Sequence, residues 1–101
     1  MLNKAKMDKV YVPSQEVVAR EVGGEFIIIP ISAGVANLEE EIYSLNATAR
    51  LIWENLDGKR TLKEVAEKLS KEFSASVEEV AEDTLGLVNE LLGRGMVVEQ
   101  G

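Results

Sequence analysis

Cysteine and histidine are both missing from the 101 residues, and the two absences exclude a great deal. Without cysteine there is no disulfide framework, no thiol nucleophile and no thiolate metal site. Without histidine the commonest acid–base side chain and the commonest zinc ligand are gone. The acids that remain are individually ordinary surface residues, so the sequence predicts a non-enzymatic protein with no cofactor and no metal. Aromatics are scarce: Tyr11, Phe26, Tyr43, Trp53 and Phe73 are all there are. The core must then be built from Leu, Ile, Val and Ala. No apolar run approaches the roughly 18 residues of a membrane span, and the N-terminal lysines Lys4, Lys6 and Lys9 have no apolar stretch behind them. No membrane contact and a cytoplasmic location are expected. Acids outnumber bases, 18 to 11, for a formal charge of −7, which disfavours binding to a phosphate backbone.

What is present is enough for one domain. Met1 to Lys9 alternates lysine with small residues and, with the next three residues, reads as a flexible arm covering residues 1–12. Val17–Val22 and Glu25–Ile29 read as strands around Gly23-Gly24, a pair able to take the positive φ values of a two-residue hairpin turn. Phe26 to Ile29 is apolar at successive positions, which predicts a central strand covered on both faces. Pro30 weakens pairing at its end. A loop follows over Ser32 to Glu40, then a short third strand, Glu41, Ile42, Tyr43, Ser44 and Leu45.

The remainder reads as helix. Asn46 is a natural N-cap for a helix over Ala47–Leu56, whose buried face is Ala49, Ile52, Trp53 and Leu56, and Asp57-Gly58 stops it. Thr61 and Glu64 form a capping box before a stripe of Leu62, Val65, Ala66, Leu69 and Phe73. A second box at Ser76 and Glu79 opens the longest helix, running to about Arg94. Gly95 ends it, and Met96–Val98 adds a short strand in the place of a wing. On this third helix Val77, Val80, Ala81, Thr84, Leu85, Leu87, Val88, Leu91 and Leu92 spread over roughly 160°, wider than one core contact needs. Either the helix packs against two neighbours, or a flank of the stripe lines a groove for a partner. Trp53 belongs to the buried stripe and reads as core. Tyr43, on an edge strand, could equally stack a ligand. Three helices and a strand suggest a winged helix-turn-helix, but Glu78, Glu79, Glu82, Asp83 and Glu90 on the third helix would be repelled by a duplex, so no nucleic acid is expected.

The stretch Ile42-Tyr43-Ser44-Leu45-Asn46-Ala47-Thr48-Ala49, followed by Ile52-Trp53 and Asp57-Gly58-Lys59-Arg60-Thr61, resembles the signature of the PqqD family. Val65-Ala66, Leu69, Val80, Asp83, Leu87, Leu91 and Gly95 continue the likeness, and Val17, Arg20 and Gly24 suit the opening hairpin. The similarity runs roughly from Pro13 to Val98. It implies an α+β domain: a three-stranded antiparallel sheet followed by a three-helix, winged helix-turn-helix-like bundle. It also implies a peptide chaperone that binds the leader of a ribosomally made precursor peptide and presents it to a modifying enzyme. For the family's namesake that enzyme is a radical S-adenosylmethionine enzyme of pyrroloquinoline quinone biosynthesis, while the same fold serves lasso peptides and other products. In related domains the leader adds as a strand beside the third strand and lies on the third helix. Transferred here, the peptide site is Glu41, Ile42, Tyr43, Ser44 and Leu45, with Asp83, Thr84, Leu87 and Leu91 as the helical wall and Asp83 meeting a basic leader residue. Two other readings stand beside it, a winged-helix DNA-binding transcription regulator and a structural adaptor or homodimer that uses the same edge strand.

Overall fold

The computed structural model describes residues 4–31 and 42–100. Its elements, in chain order, are β1 (Tyr11–Pro13), β2 (Val17–Val22), β3 (Glu25–Pro30), β4 (Tyr43–Leu45), α1 (Ala47–Glu54), α2 (Leu62–Phe73), α3 (Val77–Gly93) and β5 (Val97–Glu99). The fold is α+β, with a three-stranded antiparallel sheet in the order β2-β3-β4 and a separate two-stranded sheet, β1-β5. The loop expected over Ser32 to Glu40 and the start of the third strand at Glu41 lie outside the described residues.

Gly23 (φ +58°) and Gly24 (φ +86°) both occupy the left-handed region. This is the backbone of a two-residue hairpin turn, closed by Val22 and Glu25 as a hydrogen-bonded pair. Hydrogen-bonded and non-bonded pairs then alternate along the ladder. The bond from Ile31 N–H to the Glu16 carbonyl, 2.7 Å, keeps the same parity six residues on. Odd-numbered residues of β3 therefore exchange backbone bonds with β2, and even-numbered ones with β4. Pro30, which has no N–H, stands opposite Val17 at a non-bonded position, where it costs that ladder nothing.

The side chains of β3 do not bear out the expectation of two covered faces. Ile28 is fully buried and packs with Leu45, Trp53, Leu56, Leu62, Val88 and Leu91, and Phe26 borders the same cluster. Ile27 and Ile29 point the other way and are only half-buried, beside exposed Val18 and Val22. The strand is central but, among the described residues, no helix covers its outer face.

The N-terminal segment is the clearest correction. Residues 5–12 are not a free arm. Tyr11 is 1% exposed, its hydroxyl accepts from Lys6 N–H at 2.9 Å, and Ala5 N–H donates to Asn89 Oδ1. The carbonyls of Met7 and Lys9 accept from the N–H groups of Lys63 and Leu62, in the first turn of α2, where helical N–H groups have no intrahelical partner. β1 then pairs with β5 in the register Tyr11↔Glu99, Val12↔Val98, Pro13↔Val97. The lysines of this segment face solvent while the residues between them dock, a pattern that also suits a frayed tail.

The helices lie close to their expected bounds. Asn46 Oδ1 accepts from Ala49 N–H at 2.8 Å. α1 ends two residues early, at Glu54, because buried Asn55 caps it: its Nδ2 donates to the Leu51 carbonyl, and its Oδ1 accepts from Lys68 Nζ on α2. Asp57 then makes the turn, with Oδ1 accepting from the N–H groups of Lys59 and Arg60 and Oδ2 paired with the Arg60 guanidinium. Gly58 holds φ +80°, a left-handed backbone that favours glycine, and a Cβ there would have to displace the Gln100 side chain, whose Oε1 would lie 2.6 Å away. Thr61 and Glu64 complete the reciprocal capping box. At Ser76 the serine half is present, with Oγ accepting from Glu79 N–H at 3.2 Å.

Candidate functional site

β4 is an edge strand, with β3 on one side and no partner on the other among the described residues. Its register is Phe26↔Leu45, Ile27↔Ser44, Ile28↔Tyr43. Phe26 and Ile28 turn their backbone groups to β4, so Leu45 and Tyr43 spend theirs on β3. Ser44 stands at the non-bonded position and projects both its N–H and its C=O from the open edge. An unpaired donor–acceptor couple of this kind is a template for an added strand.

Beside that edge lies a groove of about 340 Å³. Tyr43, Ser44 and Leu45 form one wall, Asp83 and Leu87 of α3 the other, and Ala49 and Ile52 of α1 part of the floor. The two walls reach it from positions some forty residues apart in sequence. Leu87 is half-buried and touches both hydrophobic clusters, so its remaining surface is apolar and held by packing. Asp83 is exposed and has no hydrogen bond or ion pair among the described residues. The Arg94 guanidinium lies over the Tyr43 ring, 4.6 Å from its centroid, and its Nε holds Glu90 Oε2 at 2.9 Å.

The structure thus brings together Tyr43, Ser44, Leu45, Asp83 and Leu87. Ile42 precedes the strand and is half-buried, and Glu41 lies outside the described residues. Thr84 and Leu91 are corrections. Both are fully buried, Thr84 with its hydroxyl donating to the Val80 carbonyl at 2.7 Å and Leu91 inside the core cluster, so neither side chain can line a groove. A stripe wider than one contact left their direction open, and packing against α2 and β5 turned them inward. Trp53 is core. Arg94 was missed as a neighbour of the site. Its only sequence signal was a lone cation at the end of an acidic helix.

A second hollow, of about 460 Å³, lies on the other side of α1, between Phe26, Leu45, Leu51 and Arg50. It is larger but has no open strand edge. Arg50 already stacks on Phe26 at 4.5 Å and pairs with Glu21 and Glu54, contacts that hold its guanidinium pKa above the ordinary value, chiefly through the hydrogen bonds to the two carboxylates. Among the described residues no cluster of acids could hold a metal ion, and no helix is long and apolar enough to cross a membrane.

An antiparallel sheet whose β4 edge is open, backed by three helices of which the longest borders that edge, defines an α+β domain class known from solved structures. Within it, this chain belongs to the family of coenzyme PQQ synthesis protein D (PqqD), whose model matches residues 32–97. The opening hairpin precedes the matched region, but structural similarity takes it in. The PqqD truncation of Methylobacterium extorquens PqqCD, solved by NMR as a functional, stand-alone recognition element for ribosomally synthesised and post-translationally modified peptides, superposes with a TM-score of 0.73 at 16% identity, over 93% of this chain and 94% of that one. A lasso peptide synthetase B1 complexed with the leader peptide gives 0.71 at 22% identity, over 87% and 96%. TbiB1 in complex with the TbiA(beta) leader peptide gives 0.70 at 18%, over 89% and 98%. At these identities the likeness speaks for the fold. No curated protein matches the chain.

Proposed function

We propose that this protein binds the leader segment of a ribosomally made precursor peptide as a fourth strand on β4 and presents it to a modifying enzyme. The observation that carries the proposal is the open backbone couple of Ser44, set beside a groove with Leu87 on its far wall. Strand addition satisfies the backbone groups, and apolar side chains on one face of the peptide fill the groove. Family membership and the leader-bound structural neighbours support the same reading.

Binding and delivery need no reacting group, so a chain without cysteine or histidine loses nothing, and we assign it no catalysis and no cofactor. A radical S-adenosylmethionine enzyme, as in pyrroloquinoline quinone biosynthesis, is the partner suggested by the family's namesake. A cytoplasmic location goes with that partnership. The order of three helices and then β5 supports a winged-helix-like description of the second half, with the strand held by β1. The exposed residues of α3 that a DNA reader would use are Glu78, Glu79, Glu82, Asp83 and Glu90, and their charge argues against the regulator.

Amide chemical shifts during titration with the leader of a precursor encoded beside the gene test the proposal. Shifts centred on Ser44, Leu45 and Leu87 are expected. Shifts confined to β2 or α2, or none at all, would refute it.

A further inference from the structure

Resting on that strand-addition reading, we infer that the groove selects its peptide by charge polarity: read from N to C, a basic residue, an apolar residue two positions on, and an acidic residue two positions further. Three placements lead there. Tyr43 lies under Arg94, and the groove lined by Tyr43, Leu45 and Asn46 reaches Leu87 and Asp83 but not Arg94, so from Tyr43 onward β4 runs from the Arg94 end of α3 toward its Asp83 end. Every strand pair among the described residues is antiparallel, the arrangement with the more stable ladder. A peptide added in that sense starts at Asp83 and finishes at Arg94.

Register then assigns the side chains. The peptide residue bonded to Ser44 points its side chain to the outer face, with Ser44. The residue before it, opposite Leu45, faces the groove and meets Leu87 and Ile52. The residue after it, opposite Tyr43, faces Arg94. Two positions before the apolar residue, the side chain reaches Asp83. Asp83 and Arg94 are eleven residues apart, about 16 Å along a helix. A four-residue step of extended chain covers about 13 Å, and long charged side chains bridge the difference. Both end groups have capacity to spare. Among the described residues the Asp83 side chain has no hydrogen-bond or ion-pair partner, and Arg94, stacked on Tyr43, spends only Nε on Glu90, leaving the rest of its five-donor fork.

The test uses two pools of acetylated, amidated heptapeptides, x-Lys-x-Leu-x-Glu-x and x-Glu-x-Leu-x-Lys-x, titrated by fluorescence anisotropy with amide shifts locating the contact. The parent protein should bind the first pool at least about tenfold more tightly, with the preference shrinking in high salt. The Asp83→Lys/Arg94→Glu variant should invert it. Asp83→Asn, which adds no new charge beside Glu90, should reduce the preference without inverting it. Equal binding of both pools at the groove, or an unchanged preference in the folded variants, overturns the polarity and leaves strand addition intact. If neither pool nor the encoded leader moves the Ser44 and Leu87 signals, strand addition itself fails, and the polarity with it.

Discussion

At Tyr43 and Ser44, neighbouring residues of one three-residue strand have opposite duties. Tyr43 turns its N–H toward Ile28 and holds the sheet, while Ser44 turns its N–H to solvent. Tyr43→Pro should therefore damage the fold, seen as a lower unfolding midpoint, whereas Ser44→Pro should leave it nearly unchanged; equal thermal stability of the two variants would contradict the register. A second residue with a defined signature is Asp57. Its carboxyl is held below the ordinary value of 3.8, first by the hydrogen bond from Lys59 N–H and then by the charge of Arg60. A depressed folded-state pKa means the turn contributes its stability in full above the unfolded pKa and loses it as pH falls through the folded one. In a carbon-13 NMR titration Asp57 should show a midpoint below 3.8, with the Lys59 amide signal moving in step. A midpoint at or above that value would contradict the turn.

Among elements, α3 separates what was legible in the sequence from what was not. Its caps and length followed from Ser76 and Gly95, because capping chemistry is local. Which leucines point inward did not follow, because an arc of roughly 160° admits several rotations and packing against α1, α2 and β5 fixes one. Leu87 and Leu91, one turn apart, ended in groove and core respectively. Leu91→Ala should cost about 3 kcal/mol of stability by denaturant titration. Leu87→Asp should still fold, at a smaller loss of stability because Leu87 only borders the two clusters, and weaken peptide binding by about 2 kcal/mol, roughly thirtyfold; the reverse pattern would exchange their roles. The hairpin was legible for the same local reason, since Gly23-Gly24 dictates its turn. The N-terminal strand was not. Tyr11 to Pro13 is short, and its partner β5 is more than eighty residues away, so pairing rather than propensity creates it. Tyr11→Ala should cost about 3 kcal/mol by thermal or chemical unfolding, where an arm residue would cost nothing.

For the whole molecule, a net charge of −7 and an acidic outer face of α3 give a protein that should not be retained by duplex DNA at physiological salt; tight, salt-sensitive retention would restore the regulator. On the proposed reading the open edge of β4 takes a peptide instead, and a micromolar complex would correspond to about −8 kcal/mol. The central claim is that this affinity passes through the backbone of one residue. Calorimetric titration of the encoded leader into the parent and into Ser44→Pro, with circular dichroism confirming that both are folded, tests it most directly. Proline removes the outward N–H and takes away one ladder bond worth about 1 kcal/mol, so the dissociation constant should rise about fivefold or more while the unfolding midpoint stays within a few degrees. A folded Ser44→Pro protein that binds the leader as tightly as the parent would contradict strand addition at β4.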